Sequence, residues 1–467
     1  MRVYSTGDEL LGALRGRWAG EPPREPLTWI NAGTDSRKIL PGEIFVALRG
    51  ARTDGHDHLP EALVRGALLA IVEWATPSVK IPQIVVSDTT IALREMGALA
   101  LSAHRRAGHR LIALTGSVGK TTTRELLRAG LPPGESHGSA GNENNEIGVP
   151  LTILSWPEDR RWCVLEAGVR KSGDMDYLAP LLASDTGIVT AIAPGHLENL
   201  GSVQEVWREK SKLLKEVVPG GVRILPAEVG AREKDEALFG DTSRRLKTVA
   251  LGGNGSAGIR GRLVETPGGL VLKVEKPALA VPLPWPSAAL GWCMLVALAA
   301  LEEEGVELAA AAERLSSYRG FPGRMEKRTH SSGLLLLLDH YNANPASMAE
   351  ALDWLGREAA LRPVGRGFAV LGDMLELGEE SGSFHEEAGR KAASLNLKTL
   401  WYRGEHLPDV LRGYLRGGGK EETVRPASEF DRDIREGRGP GGEDVVLVKG
   451  SRGMKLEEVV APLLEGD

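Results

Sequence analysis

The sequence predicts an α/β protein organised around a mainly parallel central sheet that carries a phosphate loop, with further α/β segments before and after it. Three observations predict this. Short apolar runs alternate with helical patterns through the middle of the chain, the signature of a parallel sheet covered on both faces. One run, at 111–114, opens directly into Thr115-Gly116-Ser117-Val118-Gly119-Lys120-Thr121-Thr122, a glycine-bearing turn followed by a helix start. Three later runs, at 334–338, 368–371 and 445–448, end in Asp339, Gly372-Asp373 and Lys449. In open α/β sheets ligands gather at such carboxyl ends.

At 467 residues the chain has the length of two to four domains. A net charge of −6 leaves no basic footprint for nucleic acid. Cys163 and Cys293 lie in apolar runs and read as buried thiols rather than a disulfide or a metal cluster. No apolar run reaches the ~18 residues of a membrane span, and the first ten residues lack the pattern of a signal peptide. A cytoplasmic protein is expected.

Taken in order, the chain opens with a small α/β unit reaching about Ser87. It contains Thr34-Asp35-Ser36-Arg37, the turn Pro41-Gly42 before a strand at 44–48, then Asp54-Gly55-His56. A helical pattern follows through Ala62, Leu63 and Ala67, and then strands at 68–73 and 84–86. Thr89 or Thr90 reads as the N-cap of a helix carrying Leu93, Met96 and Ala100, which leads into the phosphate loop. Middle strands are expected at 111–114, 162–165, 187–192 and 222–225. A turn-rich patch at 252–258 opens a less regular β-like stretch to about Leu283, and a helix follows from about Ala288 to Glu304. The final segment starts near Arg319, with glycine-rich surface loops at 417–419 and 437–442.

The phosphate loop is the sharpest chemical signal. Its glycines let backbone N–H groups face an anion, and the helix dipole adds positive potential. Lys120 can reach the β- and γ-phosphates, and the Thr121 hydroxyl can ligate Mg²⁺. The loop is shorter than the general pattern, with Leu114 where a first glycine would stand. Glu166, at the end of the 162–165 run, suits a Mg²⁺ ligand; by itself it reads better as an exposed residue at a strand-to-loop boundary. His196, in Ala193-Pro194-Gly195-His196, is a second ligand, a base, or neither. Lys210 sits in a pattern with helical periodicity that a charged helix face also explains. Asn142, Asn144, Asn145 and Glu146 form a turn or a hydrogen-bonding substrate loop. Arg324 follows the turn Pro322-Gly323 and suits phosphate or carboxylate clamping, and Asp339 suits ribose hydroxyls.

Together these strings resemble the Mur ligase superfamily, and within it the UDP-N-acetylmuramoyl-tripeptide–D-alanyl-D-alanine ligases. The resemblance spans nearly the whole chain. Its most specific strings are Asn144-Asn-Glu-Ile-Gly-Val-Pro150 and Tyr341-Asn-Ala-Asn-Pro345. It implies three domains: a UDP-sugar domain over 1–88, a P-loop ATP-binding domain over 89–318, and a mobile Rossmann-like ligase domain over 319–467. Ser36, Arg37, Asp54, Gly55 and His56 would line the UDP-sugar site. Residues Thr115, Gly116, Ser117, Val118, Gly119, Lys120, Thr121 and Thr122, with Arg324 and Asp339, would hold ATP. Thr121, Glu166, His196 and a carbamylated Lys210 would hold Mg²⁺, and Lys120 would act with them. Asn142, Asn144, Asn145, Glu146, Tyr341, Asn342, Asn344, Lys449 and Arg452 would meet the substrates, UDP-N-acetylmuramoyl-tripeptide and D-alanyl-D-alanine. A monomer is expected. The rival expectations are a ligase for a different amine or acid, and a non-catalytic nucleotide-binding paralogue.

Five positions depart from the family pattern. Ala191 stands where an Asn is usual, and His340 replaces a small residue. Ser287, Ala288 and Gly291 lack the amides expected near adenine, which implies a base gripped by shape and stacking.

Overall fold

The computed structural model describes residues 7–21, 29, 31–50, 53–139, 141, 143–194, 197–232, 240–253, 257–267, 269–362 and 366–464. Its strands form three sheets. The first contains β1 (Arg17–Trp18), β2 (Ala32–Gly33), β3 (Ile44–Val46), β4 (Leu69–Val72) and β5 (Gln83–Val85), in the order β1-β5-β4-β3-β2. Only β1 runs antiparallel to its neighbour.

The second sheet has nine strands: β6 (Arg110–Thr115), β7 (Ser136–Gly138), β8 (Trp162–Glu166), β9 (Thr186–Val189), β10 (Val222–Pro226), β11 (Arg245–Leu251), β12 (Ile259–Thr266), β13 (Gly269–Val274) and β14 (Leu279–Pro282). The order is β14-β13-β12-β11-β10-β9-β6-β8-β7, parallel from β7 to β12 and antiparallel beyond. The stretch expected to be irregular is therefore a regular antiparallel extension of the central sheet. Strand β6 is flanked by β8 on one side and β9 on the other, so the order reverses there. A reversal opens a crevice at the strand's carboxyl end, and the phosphate loop leaves β6 at that end.

Alternation along β6 explains why the sheet is covered twice. Leu111 and Ala113 pack with Leu93, Met96 and Ala100 of the helix Thr89–Arg106. Ile112 and Leu114 pack with Met294, Leu295 and Leu298 of the helix Ala288–Glu303. Successive side chains of a strand point to opposite faces, so both faces need a helical cover. The helix Thr89–Arg106 is capped by Asp88, whose carboxylate accepts from Thr90 N and Ile91 N at 2.7 and 2.9 Å. That corrects the expected threonine cap. A carboxylate also meets the positive end of the helix dipole, and the Thr89 hydroxyl is turned to Glu73 instead.

The third sheet contains β15 (Glu326–Thr329), β16 (Leu335–Asp339), β17 (Gly367–Gly372), β18 (Thr399–Arg403), β19 (Val424–Pro426) and β20 (Val445–Lys449), in the order β15-β16-β20-β17-β18-β19. Only β15 is antiparallel. Register sets Asp339 opposite Lys449 and Leu371 opposite Lys449, which gathers the polar strand ends at one edge. The helix Pro345–Ala360 beside this sheet also meets the central one. Its Glu350 accepts from Ser287 Oγ and Ala289 N, both at 3.0 Å, and Trp354 stacks on Trp285 with ring centres 5.8 Å apart. No helix among the described residues is long and apolar enough to cross a membrane.

Candidate active site

The phosphate loop owes its shape to two glycines. Gly116 has φ +154° and Gly119 φ +81°, values that side chains disfavour. A Cβ on Gly116 would overlap Thr190 Oγ1 and lie 3.1 Å from Ala191 N. Thr190 Oγ1 donates to the Val118 carbonyl at 2.6 Å, and Ser117 N donates to the Ala191 carbonyl at 2.8 Å. The Ser117 hydroxyl bonds the Ala193 carbonyl at 2.8 Å. The loop is thus clamped onto the segment after β9, and Ala191 serves through its backbone. Gly119 ends the loop and Lys120 begins the helix Lys120–Gly130. Lys120 Nζ lies back over the loop, donating to the Gly116 carbonyl at 2.7 Å. Thr115, Thr121 and Thr122 are buried beside it.

Glu166 closes this pocket. Only 1 % of its surface is exposed, which removes the reading of it as an exposed strand-end residue. Thr121 Oγ1 donates to its Oε2 at 2.7 Å, Asn144 Nδ2 to its Oε1 at 3.0 Å, and Arg124 Nη1 stands 3.6 Å from Oε2. Burial pushes its pKa up, but Lys120, Arg324 and Arg124 together hold it below the usual carboxylate value. Glu166 is therefore surrounded by the cations Lys120, Arg124 and Arg324, a setting that suits a polyanion.

Lys210 lies on the helix Val203–Lys215 and is 1 % exposed, which corrects the charged-face reading. Trp207 and Leu214, one turn to either side, are buried with it. Burial, then the positive charge of Lys120, hold its pKa well below the ordinary lysine value, against the pull of Glu166, Glu209 and Asp174. His196 and Asn142 fall outside the described residues.

The loop before the helix Gly148–Leu154 divides its labour. Asn144 holds Glu166, and Asn145 Oδ1 accepts from Ile147 N and Gly148 N at 3.2 and 2.9 Å, an amide spent on the turn. Glu146 is exposed.

From the turn before β15, Arg324 faces the same pocket, and its charge acts on both Lys120 and Glu166. Its guanidinium lies 4.2 Å from the centre of the Tyr341 ring, and Arg452 lies over that ring at 5.8 Å. Asp339 accepts from Met325 N at 3.2 Å and pairs with Lys449 Nζ at 2.7 Å. Lys449 is 1 % exposed and also donates to the Asn342 carbonyl at 2.8 Å, so its protons are engaged within the protein. Asn344 caps the helix Pro345–Ala360, with its side chain accepting from Ser347 N. His340, the family departure, faces Glu457 at 3.5 Å.

In the first sheet's unit, the polar groups of the expected sugar-site residues are held by neighbours within that unit. The Ser36 hydroxyl donates to Glu61 at 2.7 Å, and the exposed Arg37 pairs with Asp35. His56 Nδ1 bonds Asp54 at 2.6 Å, while its Nε2 accepts from Glu73 N at 2.9 Å. The packing around Gly55 leaves no room for a side chain against Leu48 N at 2.7 Å. Sequence reasoning missed Thr190 and Arg124. Arg124 could have been found, because it stands four residues after Lys120 and so shares its helix face.

Comparison with known proteins gives one family. The models of the Mur ligase family catalytic domain, the Mur ligase middle domain and the Mur ligase glutamate ligase domain match residues 31–100, 114–277 and 323–452. UDP-N-acetylmuramoyl-tripeptide–D-alanyl-D-alanine ligase of Bacillus subtilis is 31 % identical over 453 residues, 95 % of each chain. The crystal structure of MurF from Acinetobacter baumannii superposes with a TM-score of 0.83 at 28 % identity, covering 98 % of each chain. MurF from Thermotoga maritima in complex with ADP superposes with a TM-score of 0.77 at 25 % identity, over 92 % of this chain and 96 % of that one.

Proposed function

The chain belongs to the Mur ligase family, and on that premise we propose that it is an ATP-dependent ligase joining D-alanyl-D-alanine to UDP-N-acetylmuramoyl-tripeptide. The observation that carries this is similarity along 95 % of the chain to a ligase of that name, combined with a pocket built for a triphosphate. In this reading the terminal carboxylate of the tripeptide attacks the γ-phosphorus of ATP and ADP leaves. The amine of D-alanyl-D-alanine then attacks the acyl phosphate carbonyl, phosphate departs, and an amide remains. The loop amides and Lys120 stabilise charge growing on the β–γ bridge oxygen. Arg324 adds a cation from the turn before the third sheet, and contact between the two larger units excludes water from the acyl phosphate.

The donor set fits magnesium. Thr121 and Glu166 supply the hard oxygens that cation takes, and their bond of 2.7 Å holds them together. They would hold it with His196 and a carbamate on Lys210, and the cation would neutralise phosphate charge. The burial of Lys210, which lowers its pKa, supports carbamate formation, because only the unprotonated form reacts with CO₂. We assign residues 1–88 to the UDP-sugar, 89–318 to ATP and 319–467 to ligation. The intervals between the three sheets, 86–109 and 283–325, support those divisions. Ser36, Arg37 and the turn at Asp54–His56 belong to the sugar site in this assignment, Asn144 and Glu146 to the acceptor peptide, and Tyr341, Asn342 and Arg452 to the incoming dipeptide.

Mass spectrometry of products from ATP, UDP-muramoyl-tripeptide and D-alanyl-D-alanine tests the reading. The expected product carries one added D-alanyl-D-alanine less water, with ADP and phosphate released. Product with another amine, or no ATP-dependent product, overturns it.

A further inference from the structure

Arg124 has no part in the chemistry derived above, yet it is one of the largest fully buried side chains, at 0 % exposure. An arginine stays charged in a protein, so burying it costs free energy unless its donors are met. Its Nε donates to Glu125 Oε1 at 2.9 Å, and its Nη1 donates to the Gly141 carbonyl at 3.1 Å. The same Nη1 stands 3.6 Å from Glu166 Oε2, and the guanidinium carbon is 5.9 Å from the centre of the Phe321 ring. Phe321 and Arg324 form the two sides of the turn that leads into the third sheet. Glu166 is in turn held from its other oxygen by Asn144, whose carbonyl accepts from Gly168 N at 2.7 Å.

We propose that Arg124 is a positioning residue that fixes Glu166 and, through the Gly141 carbonyl, ties the segment at 143–147 to the phosphate site, so that the acceptor-peptide loop and the nucleotide loop are ordered as one unit. What the two loops bind rests on the ligase reading; the contacts do not. The side-chain type matters. A planar guanidinium presents donors in several fixed directions and can serve a carbonyl and a carboxylate together, whereas an ammonium is a single point of charge on a shorter reach. Glu166 needs such support, because a carboxylate free to rotate offers its oxygens to the site only part of the time. The Phe321 contact extends the unit to the turn that delivers Arg324.

The test compares Arg124→Gln with the wild-type enzyme in two ways. Hydrogen–deuterium exchange on the substrate-free protein should show amides at 143–149 exchanging on the order of tenfold faster, with the strand Val445–Lys449 unchanged. In steady-state kinetics kcat should fall and KM for UDP-muramoyl-tripeptide should rise, each by about tenfold or more, while KM for D-alanyl-D-alanine stays as in wild type. A purely structural role would slow turnover without that split between the two KM values. Should Arg124→Gln fail to fold, Arg124→Lys replaces it. It keeps charge beside Glu166 but cannot also reach Gly141, so it should restore most of kcat and leave the faster exchange and the raised KM. Unchanged exchange at 143–149 together with an unchanged KM for the tripeptide, in whichever variant folds, overturns the proposal. A wild-type enzyme that makes no ligation product would instead overturn the ligase reading, and the exchange comparison would still decide the role of Arg124.

Discussion

Gly116→Ala should disable nucleotide binding without unfolding the protein. Gly116 has φ +154°, and an added Cβ would overlap Thr190 Oγ1. Holding a non-glycine residue in such a conformation costs about 1–3 kcal/mol. Pushing Thr190 aside also breaks its 2.6 Å bond to the Val118 carbonyl, worth about 1 kcal/mol. The loop avoids this total of about 2–4 kcal/mol by relaxing away from its binding shape, and ATP must then restore that shape. At about 1.4 kcal/mol per tenfold, affinity falls by roughly 30- to 1,000-fold. Isothermal titration calorimetry with a non-hydrolysable ATP analogue measures this, with circular dichroism melting as the check on the fold. The overlap has a specific partner, so Thr190→Ala in the same chain should recover the steric part and leave the backbone part. A coupling of about 0.5–3 kcal/mol between the two sites is expected. Affinity within twofold of wild type in a folded Gly116→Ala protein would refute the argument. Strict additivity of the two substitutions would refute the role given to Thr190.

Three further outcomes are expected. Lys210→Ala should abolish ligation while leaving UDP-sugar binding intact, and short carboxylic acids at high concentration should restore part of the activity; full activity of the variant in CO₂-depleted buffer would remove the carbamate. Gly291 carries no side chain to meet the base, and the Ser287 hydroxyl is committed to Glu350. Specificity constants for ATP and GTP should therefore lie within about tenfold of each other, and a strong preference for ATP would show that another residue reads the base. Burial pushes the Cys293 thiol up to about 11, so the native protein should resist iodoacetamide at pH 8. Above pH 9 the unfolded chain loses this proton and the folded chain keeps it, so stability should fall as pH rises through 9 to 11. Cys293→Ala should flatten that slope in chemical denaturation, and rapid native-state alkylation would contradict the burial argument.

The contrast between Lys120 and Lys210 shows which parts of the site could be read in advance. Lys120 belongs to a contiguous string in which strand, turn and helix are encoded within a dozen residues, so its place at the helix start followed from local patterning. Lys210 sits among charged neighbours, and periodicity alone allowed it to face solvent. Its burial depends on how the helix Val203–Lys215 rotates against the central sheet, which the local sequence leaves open. The stretch β12–β14 was read only as a less regular β-like segment, for a similar reason. Its strands have mixed exposure and carry charged residues such as Arg260, Arg262 and Lys273, so they lack the continuous apolar runs that marked β6 and β8.

The sequence by itself determined the α/β class, the phosphate loop, the family and the apolar strands of the central and third sheets. All of these rest on contiguous residues or on a short period, and a chain carries that information locally. Only the tertiary structure decided that Glu166 is shared by Thr121, Asn144 and Arg124, that Lys449 is spent on Asp339 and Asn342, and that Thr190 shapes the loop at Gly116. Those relations join residues from separate strands and loops. Strand order and register bring them together, and neither is written in any one stretch of the chain.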